Sequence, residues 1–114
     1  MKVVINTSPL IVLFKSQLDD LLPQLFTEII VPGAVWDEIA GKTDIVSRQL
    51  PTAHWPQRVN LENVSPVITA WGLDPGESEV LSFAWENNGY QAIIDDIAHQ
   101  HRPPGLIGLL LELG

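Results

Sequence analysis

The 114-residue chain contains no cysteine. That excludes a disulfide framework and a thiolate zinc site, and it suits a reducing cytoplasm. Cations are scarce: six Lys and Arg stand against 14 Asp and Glu, giving a formal charge of −8 and a pI near 4.5. Such a chain gains little from counterion release, so a protein that simply coats nucleic acid is excluded. An enzyme that cuts nucleic acid at a metal site is not excluded, because bound cations supply the local positive charge. It would hold RNA weakly, or with help from a partner. No apolar run approaches the roughly 20 residues of a spanning helix, so no membrane association is expected. Met1-Lys2 is followed at once by a strand-like run that breaks at Asn6-Thr7-Ser8-Pro9, too short and too early for a secretory signal. There is no internal repeat and no low-complexity tract.

What is present is a well-patterned apolar fraction. Hydrophobic residues make up 46% of the chain and charged residues 18%, which supports one packed domain over 1–114 rather than disorder. Residues 2–5 (KVVI) form a β-branched run that predicts a strand buried on both faces. Ser8 followed by Pro9 reads as an N-cap and first-turn proline, opening a helix to about residue 14. Leucines 18, 21, 22 and 25 have helical spacing, with Pro23 expected to break or kink the helix. Residues 28–31 (EIIV) predict a second strand, and Pro32-Gly33 opens a helix that Gly41 stops. Residues 41–63 are the least legible; 45–50 read as a helix and 58–61 as a short strand. Asp74-Pro75-Gly76-Glu77 starts the clearest helix, which ends at Asn87-Asn88-Gly89. Then Ala92 to Ile94, an apolar strand, ends in Asp95-Asp96. Residues 105–113 (GLIGLLLEL) read as a helical apolar tail. Strands separated by helices predict an α/β fold: a central parallel sheet with helices on both faces, in three layers.

Ligands of open α/β sheets sit outside the carboxyl ends of the strands, where Asp95-Asp96 would stand. At about 100° per residue, Val80, Leu81, Ala84 and Trp85 fall within roughly 80° of Glu77, which puts Glu77 on the core-facing stripe. Glu79 and Glu86 fall on the opposite, solvated face. In the helix after Gly33, Glu38 flanks the face of Val35 and Ile39, and Asp37 points away. Glu38, Glu77 and Asp95 or Asp96 therefore converge, with Asn6 at the end of the first strand. Clustered carboxylates repel unless a cation joins them. Hard oxygen ligands select Mg²⁺ or Mn²⁺, and such a site activates water for attack at phosphorus.

Plainer roles compete for each residue. Asp74 and Glu77 fit a capping box, Asp95-Asp96 fit turn and cap positions, and Glu38 fits a surface helix. His99 and His101 lack the further ligands of a zinc site and read as loop residues. Trp36, Trp71 and Trp85 read as core. Trp55 is a base-stacking candidate against ordinary packing. Thr7 and Ser8 are hydroxyl ligands or helix caps, and capping is the expected role of Ser8.

Four segments occur in order: Val4-Ile5-Asn6-Thr7-Ser8-Pro9-Leu10-Ile11; Ile30-Val31-Pro32 with Val35 and Glu38; Leu73-Asp74-Pro75-Gly76-Glu77-Ser78-Glu79; and Ile93-Ile94-Asp95-Asp96. Together they resemble a PIN domain, most of all the short prokaryotic subgroup related to VapC-type toxins, over nearly the whole chain. The resemblance implies a metal-dependent ribonuclease, often dimeric and often neutralised by a small antitoxin. It maps the acidic site onto Asn6, Glu38, Glu77 and Asp96, with Asp95 as the adjacent alternative and Thr7 or Ser8 as the hydroxyl position. In that mapping Glu38, Glu77 and Asp96 are catalytic, and Mg²⁺ or Mn²⁺ is the cofactor. Three departures stand out. Asn6 replaces the usual leading Asp and brings no charge. Residues 98–104 are too short for the family's further helix and strand, and His99 stands where an arginine is common. The chain also stops at Gly114, where relatives continue. Leu106, Ile107, Leu109, Leu110 and Leu111 are then expected to be exposed and to support a homodimer or partner complex. The alternative is a catalytically inactive PIN-like module that dimerises or binds an antitoxin-like partner. A receiver-like signalling domain fits poorly, because its acidic pair would follow the first strand, where Asn6-Thr7 stands.

Overall fold

The computed structural model of the chain describes residues 1–42 and 44–94, and the backbone of 108–110. Its strands are β1 (Lys2–Ile5), β2 (Glu28–Pro32), β3 (Pro56–Val59), β4 (Tyr90–Ile94) and β5 (Gly108–Leu110). Its helices are α1 (Thr7–Lys15), α2 (Leu21–Leu25), α3 (Gly33–Ala40), α4 (Ile45–Gln49), α5 (Pro66–Thr69) and α6 (Pro75–Glu86), with a single 3₁₀ turn at Leu50–Thr52.

The strands pair in parallel in the order β3-β2-β1-β4-β5. β1 is central, with Val4 opposite both Ile30 and Ala92. Its Val3, Val4 and Ile5 are fully buried, as a strand covered on both faces requires. β3 (PQRV) lies at an edge, starts at a proline and is only half buried, a permitted place for a residue that cannot donate. The chain builds outward from β1 through β2 to β3. α6 then carries it back across β2 and β1, touching both, to β4 on the far side of β1. An all-parallel sheet whose strands are joined through helices is the expected α/β fold, and crossovers of the usual right hand in the two directions would place helices on both of its faces. Among the described residues, no helix is long and apolar enough to cross a membrane.

Several local expectations are corrected. α1 starts at Thr7, capped by the extended backbone of Asn6 (φ −85°, ψ 170°), and Ser8 is an exposed first-turn residue rather than the cap. Pro9 is then the third helical residue, still within the turn whose N–H groups have no intrahelical acceptor. α2 is confined to five residues that bury only Leu22; Pro23 again takes the third position, and Leu18, Leu21 and Leu25 are exposed. The third strand covers Pro56–Val59 rather than 58–61, because Ile29–Pro32 of β2 dictates its pairing. Trp36 and Trp71 pack against the core, but Trp85 is 44% exposed. Trp55 stacks on Phe14 at 6.0 Å between ring centroids, just before the amino end of β3, so it is a packing residue on the edge opposite the strand carboxyl ends. Gly108–Leu110, expected as helix, is a strand beside β4. A short continuous apolar run fits either state, and the free edge of β4 decided.

Candidate site at the carboxyl edge of the sheet

The strand order reverses between β1 and β4, which makes the crevice beyond their carboxyl ends the expected ligand position. Asn6 leaves β1 there. Its N–H donates to the carbonyl of Ile93 (3.0 Å), which ties the two strand ends together, and Asn6 is only 7% exposed. The next residue, Thr7, is buried, and its Oγ1 has no hydrogen-bond partner among the described residues. A buried hydroxyl without a partner is an energetic liability that a ligand would relieve.

Two helices close the crevice. α3 follows β2 without a loop, because Pro32 ends the strand in extended geometry and serves as the N-cap. α6 is started by Asp74, whose Oδ1 accepts from the N–H of Glu77 (2.8 Å), and by Pro75 at its first position. The forward half of the expected capping box is therefore formed. Gly76, in the first turn of α6, is where the elements meet. A methyl group placed on its α-carbon would lie 3.4 Å from Asn6 Oδ1, 3.4 Å from Glu38 Oε1 and 3.6 Å from Asp74 Oδ1. Oxygens from β1, α3 and the α6 cap thus surround one point that only the absence of a side chain leaves open. The positive end of the α6 dipole lies beside them and offsets part of their mutual repulsion.

Glu38 reaches this point from the exposed side of α3, while Val35 and Ile39 are buried and Asp37 is exposed, as their spacing requires. Glu77 is 1% exposed in the first turn of α6. A carboxyl group buried so deeply is stable only with donors or a cation beside it. Asp95, Asp96, His99, His101 and the leucine-rich end at 106, 107 and 111 lie outside the described residues, as do the side chains of Leu109 and Leu110. Among the described residues, no group of three or more His, Asp or Glu side chains gathers closely enough to hold a metal ion. The described part of the site is an incomplete set of hard oxygens, Asn6 and Glu38 with Asp74 beside them. In donor type it fits Mg²⁺ or Mn²⁺, and the partnerless Thr7 hydroxyl fits a further oxygen position.

Two participants escaped the sequence reading. Gly76 is visible in the Asp74-Pro75-Gly76-Glu77 run only as a helix-start residue; its part in letting three oxygens approach is a tertiary fact. Glu79, expected in solvent, is half buried, and its Oε1 accepts from the N–H of Ala34 at 2.9 Å, bridging α6 to the start of α3. Glu86 is exposed as expected and accepts from Ser82 Oγ at 2.9 Å.

A family model described as a PIN domain matches residues 2–102. Neither a curated protein nor a solved structure gives a match.

Proposed function

The chain belongs to the PIN domain family, and from that premise we propose that it is a ribonuclease that depends on a divalent cation. Domains of this family are in general nuclease-like and dependent on divalent metal. The observation that carries the reading here is the point beside Gly76, where Asn6 Oδ1 and Glu38 Oε1 both approach within 3.4 Å at the topological switch of the sheet.

In this reading Glu38, Glu77 and Asp96 hold Mg²⁺ or Mn²⁺ and are the catalytic carboxylates. Asn6 is a neutral oxygen ligand, Thr7 supplies a hydroxyl, and Asp95 is the alternative to Asp96. When bound, the cation lowers the pKa of a water and neutralises charge developing on the phosphodiester. The backbone of Asn6 is anchored through the Ile93 carbonyl, which fixes where its amide side chain starts. Its lack of charge predicts weaker cation affinity than an aspartate in the same place would give. The burial of Glu77 keeps its carboxyl away from water, in surroundings where a charge interacts more strongly with a cation. The acidic chain holds RNA weakly by itself, so a homodimer or a partner, of which an antitoxin is one form, completes the substrate surface. The setting is cytoplasmic, and the chain acts as the toxin of such a pair.

The second reading is an interaction module without catalysis, favoured by Asn6 where charge is expected. The two are separated by incubating mixed-sequence RNA with the pure protein in Mg²⁺, Mn²⁺ or EDTA, beside the Asp96→Asn, Glu77→Gln double variant. Cleavage that needs metal and vanishes in the variant establishes the nuclease. Equal traces of cleavage in both proteins, or none, leave the module.

A further inference from the structure

The helix that presents Glu38 has no cap of its own. α3 is only eight residues long, and its N-cap is Pro32, which offers no side-chain acceptor. Two turns are marginal as an isolated helix, so external contacts decide where α3 points. Val35 and Ile39 anchor its buried side. On the side facing α6 two points lie one turn apart: the bond from Ala34 N–H to Glu79 Oε1 at 2.9 Å, and Glu38 Oε1, which stands 3.4 Å from where a side chain on Gly76 would begin. Ala34 and Glu38 are four residues apart on α3; Gly76 and Glu79 are three apart on α6. The pairs run antiparallel, so the bond at Ala34 constrains how α3 lies against α6 where Glu38 leaves it. The carboxylate of Glu79 also lies at the positive end of the α3 dipole, where negative charge is stabilised.

We infer that Glu79 is a positioning residue of the site: by capping α3 from α6 it holds the Glu38 carboxylate beside Asn6. It touches neither substrate nor metal in this role. The inference rests on the metal-site reading only through its cation-binding consequence, so the test keeps a metal-free arm.

The experiment uses the full chain, ¹⁵N-labelled, as wild type, Glu79→Ala, Glu79→Gln and the reference Glu38→Gln. In metal-free buffer, amide exchange at Ala34 reports the bond, and the side-chain NH₂ resonances of Asn6 report the nearby carboxylate. Calorimetry then measures Mg²⁺ affinity. In Glu79→Ala, Ala34 exchanges at least about tenfold faster, as loss of roughly 1.4 kcal/mol of protection implies. The Asn6 resonances move toward their positions in Glu38→Gln, and Mg²⁺ affinity falls several-fold. Glu79→Gln, which keeps an acceptor oxygen, restores all three. If Glu79→Ala fails to fold, Glu79→Asp, one methylene too short, replaces it. Unchanged Ala34 exchange overturns the bond, and Asn6 resonances at their wild-type positions reduce Glu79 to a cap without influence on the site. A glutamine variant that behaves like alanine overturns the hydrogen-bond basis. If the wild type binds no Mg²⁺, the metal reading fails while the two metal-free measurements still decide the positioning role.

Discussion

Replacing Gly76 by alanine should separate the stability of α6 from the state of the oxygen cluster. Gly76 is not among the residues with positive φ, so its backbone accommodates a side chain without strain. Removing glycine's freedom from the unfolded chain stabilises by about 0.4–1 kcal/mol. Against this stands the new methyl group, 3.4 Å from Asn6 Oδ1 and Glu38 Oε1 and 3.6 Å from Asp74 Oδ1. That is tight for two oxygens, and the sign depends on which of them can yield. Asn6 is buried with its backbone tied to Ile93, so its side chain has little room, and Asp74 Oδ1 is engaged with the Glu77 N–H at 2.8 Å. Glu38 is exposed, so of the three its carboxylate is the one that yields. The expected outcome in EDTA is a Tm that is unchanged or up to about 4 °C higher. Mg²⁺ affinity should nevertheless fall on the order of tenfold, the scale on which disturbed ligand shells act. Thermal unfolding and calorimetric titration on the same samples read both quantities. A Tm several degrees lower with Mg²⁺ affinity intact would refute the reasoning, because it would mean that Glu38 neither yields nor matters to the cation.

Asp74→Ala removes the α6 cap and should cost about 1 kcal/mol in denaturant unfolding, with Asp74→Ser recovering most of the loss. Gln17 sits at φ 59° as the residue after the C-cap of α1, where Gln17 N–H bonds the Phe14 carbonyl and Leu18 N–H bonds the Leu13 carbonyl. Glycine is the residue this ending favours, so Gln17→Gly should stabilise by roughly 1 kcal/mol, visible as a raised urea midpoint. At the amino edge, Lys2, Glu28 and Tyr90 lie level on adjacent strands, and the Tyr90 hydroxyl donates to Glu28. That bond, with Lys2 assisting, holds the Glu28 carboxyl below its ordinary value of 4.5 and the Tyr90 phenol above its ordinary 10.0. The carboxyl's contribution is present above the ordinary carboxylate value and is lost as pH falls through the lowered one. The phenol's is present below 10 and is lost as pH rises through the raised one. The stability difference between wild type and Tyr90→Phe should therefore be fullest at neutral pH and shrink at both extremes. A difference that is flat from pH 3 to 11 would contradict it.

Much of this fold is legible in particular residues. KVVI, EIIV and AII are short β-branched or aliphatic runs that have no stable place except a sheet covered on both faces, and all three occupy its centre. The Asp74-Pro75 start, the Gly33 start with Gly41 after the last turn, and the buried stripe through Glu77, Val80 and Leu81 follow from capping chemistry and the 3.6-residue period. The edges were legible only in part, with β3 expected two residues late. β3 carries Gln57 and Arg58 and becomes a strand only because β2 offers unpaired backbone groups. Gly108–Leu110 has no periodic signature separating strand from helix, and α5 is a single turn.

The same division runs through the candidate site. Local sequence alone determined that Asn6 ends a strand, that Asp74 caps a helix and that Glu77 faces inward, because each depends on neighbours within one turn or one strand. That Asn6, Glu38 and Asp74 meet at Gly76, and that Glu79 caps a helix 45 residues earlier in the chain, was decided only by the tertiary structure. Those contacts are set by strand order and by the antiparallel match of α3 to α6, and periodicity within a segment carries no information about the distance between segments.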